Sequence, residues 1–375
     1  MSAARSGVPA VPTLREVAAL AGVSIKTVSR VVNGTGDVAA STASRVEEAI
    51  ATLGYRPNPF ARSLRTGRDD AIGLVVESIG DPFFAEMTEA VAAAASEAGL
   101  FLIHAGAGDS AEEELAVVRG LLHRSVRGLV LVPCLLPYGE AGLSVGIGGV
   151  PAVFVDRPAA GVRADTVLID NVRGGYEATA HLLAQGHRRI AFIGTAPERF
   201  TLRERLVGYR RALEDAGVAF DPDLVVPHHR TNEARLLEAV LAGEDPATAM
   251  LAANAVASIA VVRALHRIGR SEIAFVSFDD FPTADALTPP VTVARQDPGL
   301  MGRSATELLL RRIAGEEFPP TEILLPVTLV PRGSGEIAPT RPAGLSACVA
   351  TAPSSRRAAV RVRTLSPNKK EQEQR

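Results

Sequence analysis

Short helices are predicted in the first fifty residues, because apolar and polar positions recur there at helical spacing. In the stretch GVSIKTVSRVVNG, three valines fall on one arc of a helical wheel at about 100° per residue. The opposite arc holds Lys26, Ser29, Arg30 and Asn33, with Ile25 at its border. Because β-branched residues are poor helix formers, we expect tertiary packing on the valine arc to hold this helix in place.

Two further features place this helix in a helix-turn-helix. The preceding stretch has its own helical stripe, formed by Leu14, Val17, Ala18 and Ala21. Ser24 is a natural N-cap for the valine helix, and Gly22 permits a tight turn with positive φ. A third helix is predicted from about Ser41 to Leu53, ending at Gly54. The valines then pack on the first helix, and the polar arc is free to enter a DNA major groove.

After Asp70 the pattern changes to short apolar runs that alternate with amphipathic helical segments. The runs typical of buried strands are AIGLVV, LFLIHA, GLVLVP, AVFVD, RIAFIG, TAMLAAN, IAFVSFDD and ILLPVTLV. The helical segments span residues 83–98, 110–124, 172–185 and 255–268. Such alternation predicts parallel sheets covered by helices, with ligands at the carboxyl ends of the strands. Two lobes with a cleft between them are expected rather than one large sheet.

Polar residues punctuate the ends of these predicted strands, in GDPFF, VFVDRP, ANA and SFDDF, with VARQD just downstream. Carboxylates, an amide, guanidinium groups and paired aromatics facing one cleft suit a sugar. Each signal has a structural alternative. Asp279 and Asp280 can cap a turn, Arg157 can be an ion-pair partner, and DPFF can be a helix entry with two core phenylalanines.

The charge distribution separates the two ends of the chain from its middle. The net charge is −2, yet the chain up to Arg68 has nine basic residues against four acidic ones. From Ser334 onward, eight basic residues stand against three acidic ones. A cationic head on an anionic body suggests a polyanion as the partner of the head. The tail is rich in Pro, Ser, Ala and Arg without periodicity, which predicts disorder.

The stretch RPNPFARSLRTGR, residues 56–68, connects head and body. Pro59 at a first helical position predicts a short helix that becomes ordered when it docks on DNA. Leu64 is then a candidate wedge between base steps of the minor groove, flanked by Arg62 and Arg65 on phosphates. A plain flexible linker is the alternative interpretation.

Three stretches resemble the lac repressor (LacI/GalR) family of bacterial transcription regulators: TLREVAALAGVSIKTVSRVVNG, RVEEAIATLGYRPNPFARSLRTGR and IGLVVESIGDPFFAEM. The likeness continues to about Pro331. It implies a small all-α helix-turn-helix head, a hinge helix that forms on operator DNA, and an α/β body of two lobes shaped like a periplasmic sugar-binding protein. By position, Ile25 and Lys26 would face bases, and Arg30 is the best candidate for a bidentate contact to guanine.

The resemblance and the polar arc together give two sets of candidate residues. The DNA-binding set is Thr13, Ser24, Ile25, Lys26, Thr27, Ser29, Arg30, Asn33, Arg62, Leu64 and Arg65. The set that the resemblance places in the effector cleft is Asp81, Phe83, Phe84, Asp156, Arg157, Arg205, Asn254, Asp279 and Gln296. The sequence departs from the family pattern at Asp81, where Asn is common, and at Ala255, where Asp usually follows the Asn.

The expected organisation has five parts. They are a disordered N-terminus (1–11), a DNA-binding domain (12–56), a hinge (57–68), an effector-binding and dimerisation domain (69–333) and a disordered basic tail (334–375). Within the effector domain, one lobe is expected to comprise residues 69–168 with 299–328, and the other residues 169–298.

The function predicted is that of a sequence-specific DNA-binding regulator, a repressor, controlled allosterically by a small-molecule effector, a sugar. A homodimer would bind a pseudo-palindromic operator on double-stranded DNA. The alternatives are a solute-binding protein without a DNA role, or the same type of regulator sensing a purine or an amino acid. Because no signal peptide, membrane-spanning run, catalytic motif or metal-ligand spacing is evident, we expect a cytoplasmic protein without catalysis, cofactor or metal.

Overall fold

A computed structural model of the protein describes residues 12–33, 35–55, 70–108, 110–133, 149–159, 161–194, 199–227, 240–242, 245–339 and 360–364. The chain divides into two compact units, a head up to Asp69 and a body from Asp70. The predicted hinge residues Arg62, Leu64 and Arg65 lie outside the described ranges. Within those ranges, no helix has the length and apolar character needed to span a lipid bilayer.

Residues 12–55 of the head, apart from residue 34, form a bundle of three helices, α1 (Leu14–Ala21), α2 (Ile25–Asn33) and α3 (Ala40–Leu53). Val17, Val28 and Val46, one from each helix, are fully buried at its centre. Glycines with φ near +64° and +63° follow α1 and α3, as only glycine readily allows. The predicted helix-turn-helix is confirmed, with the valine face of α2 packed inward.

The body contains two sheets. The first has the order β13-β11-β5-β4-β3-β1-β2. Its strands are β1 (Ala71–Val76), β2 (Phe101–Gly106), β3 (Leu129–Leu131), β4 (Ala152–Val155), β5 (Asp165–Ile169), β11 (Thr321–Leu325) and β13 (Arg361–Thr364).

The second sheet of the body has the order β12-β10-β9-β8-β6-β7. Its strands are β6 (Ile190–Ile193), β7 (Val225–Val226), β8 (Ala249–Ala252), β9 (Ala274–Phe278), β10 (Thr292–Arg295) and β12 (Thr328–Val330). Among the strands that the structure describes, β12 and β13 alone pair antiparallel with a neighbour, each at a sheet edge.

In the described part of the body, six helices cover the sheets. They are α4 (Pro82–Glu97), α5 (Ala111–His123), α6 (Asn171–Ala184), α7 (Phe200–Asp215), α8 (Ala255–Ile268) and α9 (Pro298–Ile313). Helix α9 packs against α4 on the first sheet, and α6 packs against α7 on the second. The predicted α/β fold of two lobes built on largely parallel sheets is confirmed.

The predicted elements need two corrections. The run ILLPVTLV is two strands rather than one: β11 joins the first sheet and β12 joins the second. Pro326 lies between them, where a residue that cannot donate a ladder hydrogen bond ends a strand. The predicted segments lacked four strands, β5, β7, β10 and β13, and two helices, α7 and α9. β7 has only two residues, and the sequence of β10, TVAR, has a polar residue at each end, so neither is a continuous apolar run of the kind used to predict strands.

The expectation of a disordered tail from residue 334 is wrong for the described part of that tail. Ser334–Glu336 forms a 3-10 helix, and the buried Ser334 hydroxyl donates to the Phe275 carbonyl at 2.5 Å. The buried His187 ring bonds the Ile337 carbonyl through Nε2 at 2.8 Å. These contacts attach residues 334–337 to the second lobe. Farther along, β13 pairs with β11 in the first sheet.

Candidate functional site

The recognition helix α2 presents an exposed polar face. Ser24 caps it as predicted, because its Oγ accepts the Thr27 backbone N–H at 3.1 Å. Lys26 and Arg30 are exposed, and no acidic residue lies in the first turn. Ile25 is 45 % exposed at the start of the helix and does not belong to the core cluster of the head. An exposed, cationic helix N-terminus with one apolar side chain suits a DNA groove.

The other predicted DNA-binding residues have mixed surroundings. Thr13 forms a capping box at the start of α1, where its N–H and hydroxyl both donate to Glu16 Oε2, at 2.6 and 2.9 Å. Those hydrogen bonds lower the pKa of the Glu16 carboxyl. Thr27 and Ser29 are half-buried, and the Asn33 side chain lies outside the described part of the chain. Their contacts with DNA stay predictions.

In the first lobe, the polar side chains converge at the carboxyl ends of β1 and β4. Arg157 donates from Nη2 to Glu77 Oε2 at 2.7 Å and from Nε to Asp156 Oδ2 at 3.1 Å. Burial disfavours its charge, but the two carboxylates outweigh burial and raise the pKa of the guanidinium. The ion-pair alternative for Arg157 therefore holds, and it places a fixed cation at the strand end.

Asp156 and Asp279 occupy matching positions in the two lobes. Each follows a strand directly, with φ of +66° and +70° respectively. Each also donates its backbone N–H to a neighbouring strand at 3.0 Å, to the Val167 and Ala294 carbonyls. A positive φ is uncommon outside glycine, and such residues cluster at functional sites. Because the backbone geometry is the same at both positions, each sheet directs one buried carboxylate, Asp156 or Asp279, toward the cleft.

Arg205 is the central cation of the second lobe. Its guanidinium donates to Asn171 Oδ1 at 2.8 Å, to the Ala253 carbonyl at 2.5 Å and to Asp279 Oδ2 at 3.4 Å. It also lies 3.7 Å from the centroid of the Phe278 ring, in a cation–π contact. With side chains only 3 % and 8 % exposed, Arg205 and Asp279 form a buried ion pair.

Close packing of α6 and α7 positions Arg205. A Cβ on Gly175 would meet the Arg205 carbonyl oxygen at 2.2 Å, and one on Gly208 would meet the Val172 carbonyl oxygen at 2.0 Å. Both distances are far below ordinary contact, so only glycine fits at either position. The two backbones touch, and α7 carries Arg205 into contact with the strand ends.

Gln296 completes the second-lobe wall. Its Nε2 donates to Asp279 Oδ1. Its Oε1 is buried and has no hydrogen-bond partner among the described residues. Because buried acceptors are nearly always satisfied, this oxygen is a candidate to accept a ligand hydroxyl.

Asp81 shows that carboxylates of both lobes face one another. It caps α4 by accepting the Phe83 N–H at 3.0 Å. Burial, and then the negative charges of Asp279, Asp156 and Glu77, raise the pKa of Asp81 to about 6. Asp279 belongs to the second lobe and the other three carboxylates to the first, so the two strand edges share one polar space.

The remaining predicted effector residues are structural in part. Asn254 Oδ1 accepts the Ala257 N–H at 2.8 Å and so caps α8. The Phe83 and Phe84 rings lie 5.1 Å apart and are 7 % and 4 % exposed, within the main core cluster. This is the core role that the sequence left open for them, and their part in ligand binding stays a prediction.

Sequence reasoning missed three residues of this space, namely Glu77, Asn171 and Arg199. Glu77 Oε1 accepts Arg199 Nη1 at 2.5 Å, across the two lobes. Burial alone would raise its pKa, but Arg199 and Arg157 lower it to about 2. The available signal was an acid placed directly after the fully buried strand β1. Buried donors and acceptors of fixed geometry are what recognition of a small polar molecule requires.

Comparisons with known proteins agree with this geometry. Residues 13–58 match the model for bacterial regulatory proteins of the lacI family, and residues 179–335 match a periplasmic binding protein-like domain. The chain is 37 % identical over 344 residues to the HTH-type transcriptional regulator CelR of Thermobifida fusca, covering 86 % of this chain and 98 % of that protein.

Two solved structures resemble most of this chain. One is a complex of the transcriptional regulator CelR with cellobiose, with a TM-score of 0.64 and 35 % identity, covering 86 % of this chain and 99 % of that one. The other is the lac repressor dimer bound to operator and the anti-inducer ONPF, with a TM-score of 0.77 and 28 % identity, covering 87 % and 99 %.

Proposed function

Since this chain belongs to the LacI family of bacterial regulatory proteins, we propose that it is a repressor whose operator affinity is set by a sugar bound between its two lobes. The observation that carries the proposal is the exposed cationic face of α2 in the same chain as a cleft of buried polar groups. The match of the head to the lacI model argues against a solute-binding protein without a DNA role.

A sugar is the ligand class that the cleft supports best. Asp279, Gln296 and Arg205 offer carboxylate, amide and guanidinium groups, which bind vicinal hydroxyls in pairs. Phe83 and Phe84 pack in the core, which leaves them poorly placed to stack on the two faces of a purine. The related CelR structure contains cellobiose. We propose that the cleft binds its ligand without transforming it.

DNA binding is proposed to occur as a homodimer in the cytoplasm, where the operator lies. Two heads on a two-fold axis contact a pseudo-palindromic site, as in the lac repressor dimer on its operator. A sugar that closes the lobes of each body shifts the arrangement that the heads prefer. Because such coupling is reciprocal, operator DNA must change the affinity for the sugar by the same factor.

The test separates the head from the cleft. We expect Arg30→Ala to weaken binding to a selected operator by about 1–3 kcal/mol and to relax its base preference. Arg45→Ala is the matched control, because Arg45 is an exposed cation on α3. Loss of a cation that contacts phosphate weakens binding to all DNA sequences alike. Fluorescence anisotropy with operator and scrambled duplexes at fixed salt measures both.

Gln296→Leu examines the cleft in the same assay. Leucine is one atom shorter than glutamine and lacks both the buried oxygen and the amide that donates to Asp279, so operator affinity should stay unchanged while the sugar response disappears. An Arg30→Ala variant that loses equal affinity for operator and scrambled duplexes would refute the assigned base contact. A full-length protein that retains no duplex at low salt would refute the DNA-binding role.

A further inference from the structure

One carboxylate, that of Glu77, binds two guanidiniums from different lobes. Its Oε1 accepts Arg199 Nη1 at 2.5 Å, and its Oε2 accepts Arg157 Nη2 at 2.7 Å. The three side chains are 18 %, 25 % and 8 % exposed. Charge-assisted hydrogen bonds this short in a partly buried space are strong, so both cations are already engaged before any ligand arrives.

The third guanidinium of this space is engaged as well. Arg205 donates to Asn171, Ala253 and Asp279 and stacks on Phe278. Each guanidinium has N–H groups beyond those bonds, but an entering phosphate or carboxylate would compete for it with the carboxylate that it already binds. Displacement leaves a buried carboxylate unpaired, which is costly.

The charges of the described cleft residues also disfavour an anionic ligand. Four carboxylates share the space, Glu77, Asp81, Asp156 and Asp279, against the three guanidiniums. The negative charges of the other three carboxylates disfavour the ionised form of Asp81 and so raise its pKa. A like charge added to a buried anionic site is repelled, whereas a neutral hydroxyl donates a hydrogen bond to it.

We propose that Glu77 determines the charge of the ligand: by engaging Arg157 and Arg199, it makes the cleft accept uncharged polyhydroxyl molecules and reject phosphorylated or carboxylated sugars. This inference rests on the proposed sugar-sensing function. It assigns specificity to a residue outside the set that the family resemblance placed in the cleft.

The first experiment uses inorganic phosphate as the probe and does not depend on knowing the sugar. Isothermal titration calorimetry on the full-length protein compares wild type, Glu77→Gln and the double variant Glu77→Gln/Arg199→Gln. Glu77→Gln keeps the size of the side chain but removes the negative charge that Arg199 and Arg157 bind. We expect it to bind phosphate at least about tenfold more tightly than wild type, and the double variant to lose that gain.

The matched control is Glu97→Gln, which removes an exposed carboxylate at the end of α4. It should bind phosphate as wild type does, including any phosphate held by the head. Equal phosphate affinity of wild type and Glu77→Gln would overturn the proposal. So would a gain that persists after Arg199→Gln is added.

The second experiment compares sugars that differ only in charge and needs no variant. The pairs are cellobiose with cellobiose 6′-phosphate, glucose with glucose 6-phosphate, and ribose with ribose 5-phosphate, each measured by thermal shift on wild type. A neutral member that binds at least about tenfold better than its phosphate supports the proposal. A phosphate that binds as well as its neutral partner overturns it. Should no sugar bind while the inorganic phosphate results hold, the sugar-sensing function fails and the charge selection by Glu77 stands.

Discussion

The contact between α6 and α7 gives a prediction whose size follows from the geometry. In Gly208→Ala, the new Cβ would lie 2.0 Å from the Val172 carbonyl oxygen and 2.6 Å from the Tyr176 nitrogen. Both neighbours are backbone atoms, and contacts tighter than 3.4 Å are already rare. The helices must separate by more than about 1 Å to relieve the overlap, and overpacking of this kind costs about 1–3 kcal/mol.

Separation also moves Arg205, which lies one turn before Gly208 on α7. Its hydrogen bonds to Asn171 and Asp279 would lengthen, so sugar affinity should fall together with stability while operator binding by the separate head persists. Urea unfolding followed by circular dichroism measures the stability, and calorimetry with the sugar measures the affinity.

Gly120→Ala is the control for this substitution. Gly120 lies within α5, and a Cβ there meets no atom within 4 Å. Alanine is the better helix former, so the control should gain about 0.5–1 kcal/mol of stability. If Gly208→Ala is as stable as Gly120→Ala, the close crossing of α6 and α7 does not exist in solution and the positioning of Arg205 needs another cause.

Two further predictions concern buried carboxylates. Because the folded pKa of Asp81 is raised from 3.8 to about 6, its ionised form opposes folding above pH 6, and this penalty disappears as the pH falls toward 4. Asp81→Asn retains a good N-cap residue and should stabilise the protein by about 1–2 kcal/mol at pH 8 but not near pH 4. Urea unfolding at the two pH values measures this, and a stability difference that is independent of pH would contradict it. Asp165 accepts two hydrogen bonds from Arg312 and one from the Thr321 N–H, so Asp165→Ala should cost about 3 kcal/mol in urea unfolding. Glu316→Ala, which breaks an exposed pair with Arg311, should change stability by less than about 1 kcal/mol, and equal losses would contradict the argument.

The parts of the fold that the sequence predicts well are those whose signal is local. The valine arc and Ser24 place α2 correctly, and residues 255–268 form α8 with the predicted limits. Long amphipathic segments predict well because each residue repeats the same information.

The parts that sequence reasoning missed depend on distant partners. Glu77 gains its role from Arg157 and Arg199, which are 80 and 122 positions away along the chain. The division of ILLPVTLV between two sheets likewise depends on which neighbours, β5 and β10, each half meets. Neither relation leaves a periodic trace in a single sequence.

The strand β13 has a practical consequence for handling the protein. It occupies the outer edge of the first sheet, where Glu322 also pairs with Arg363 at 3.3 Å. Removing it bares the open hydrogen-bonding groups of β11, and exposed strand edges recruit other chains into aggregates. Shortening the carboxyl terminus to aid crystallisation would therefore expose a strand edge that promotes aggregation. Purification tags are better attached where they leave β13 paired with β11.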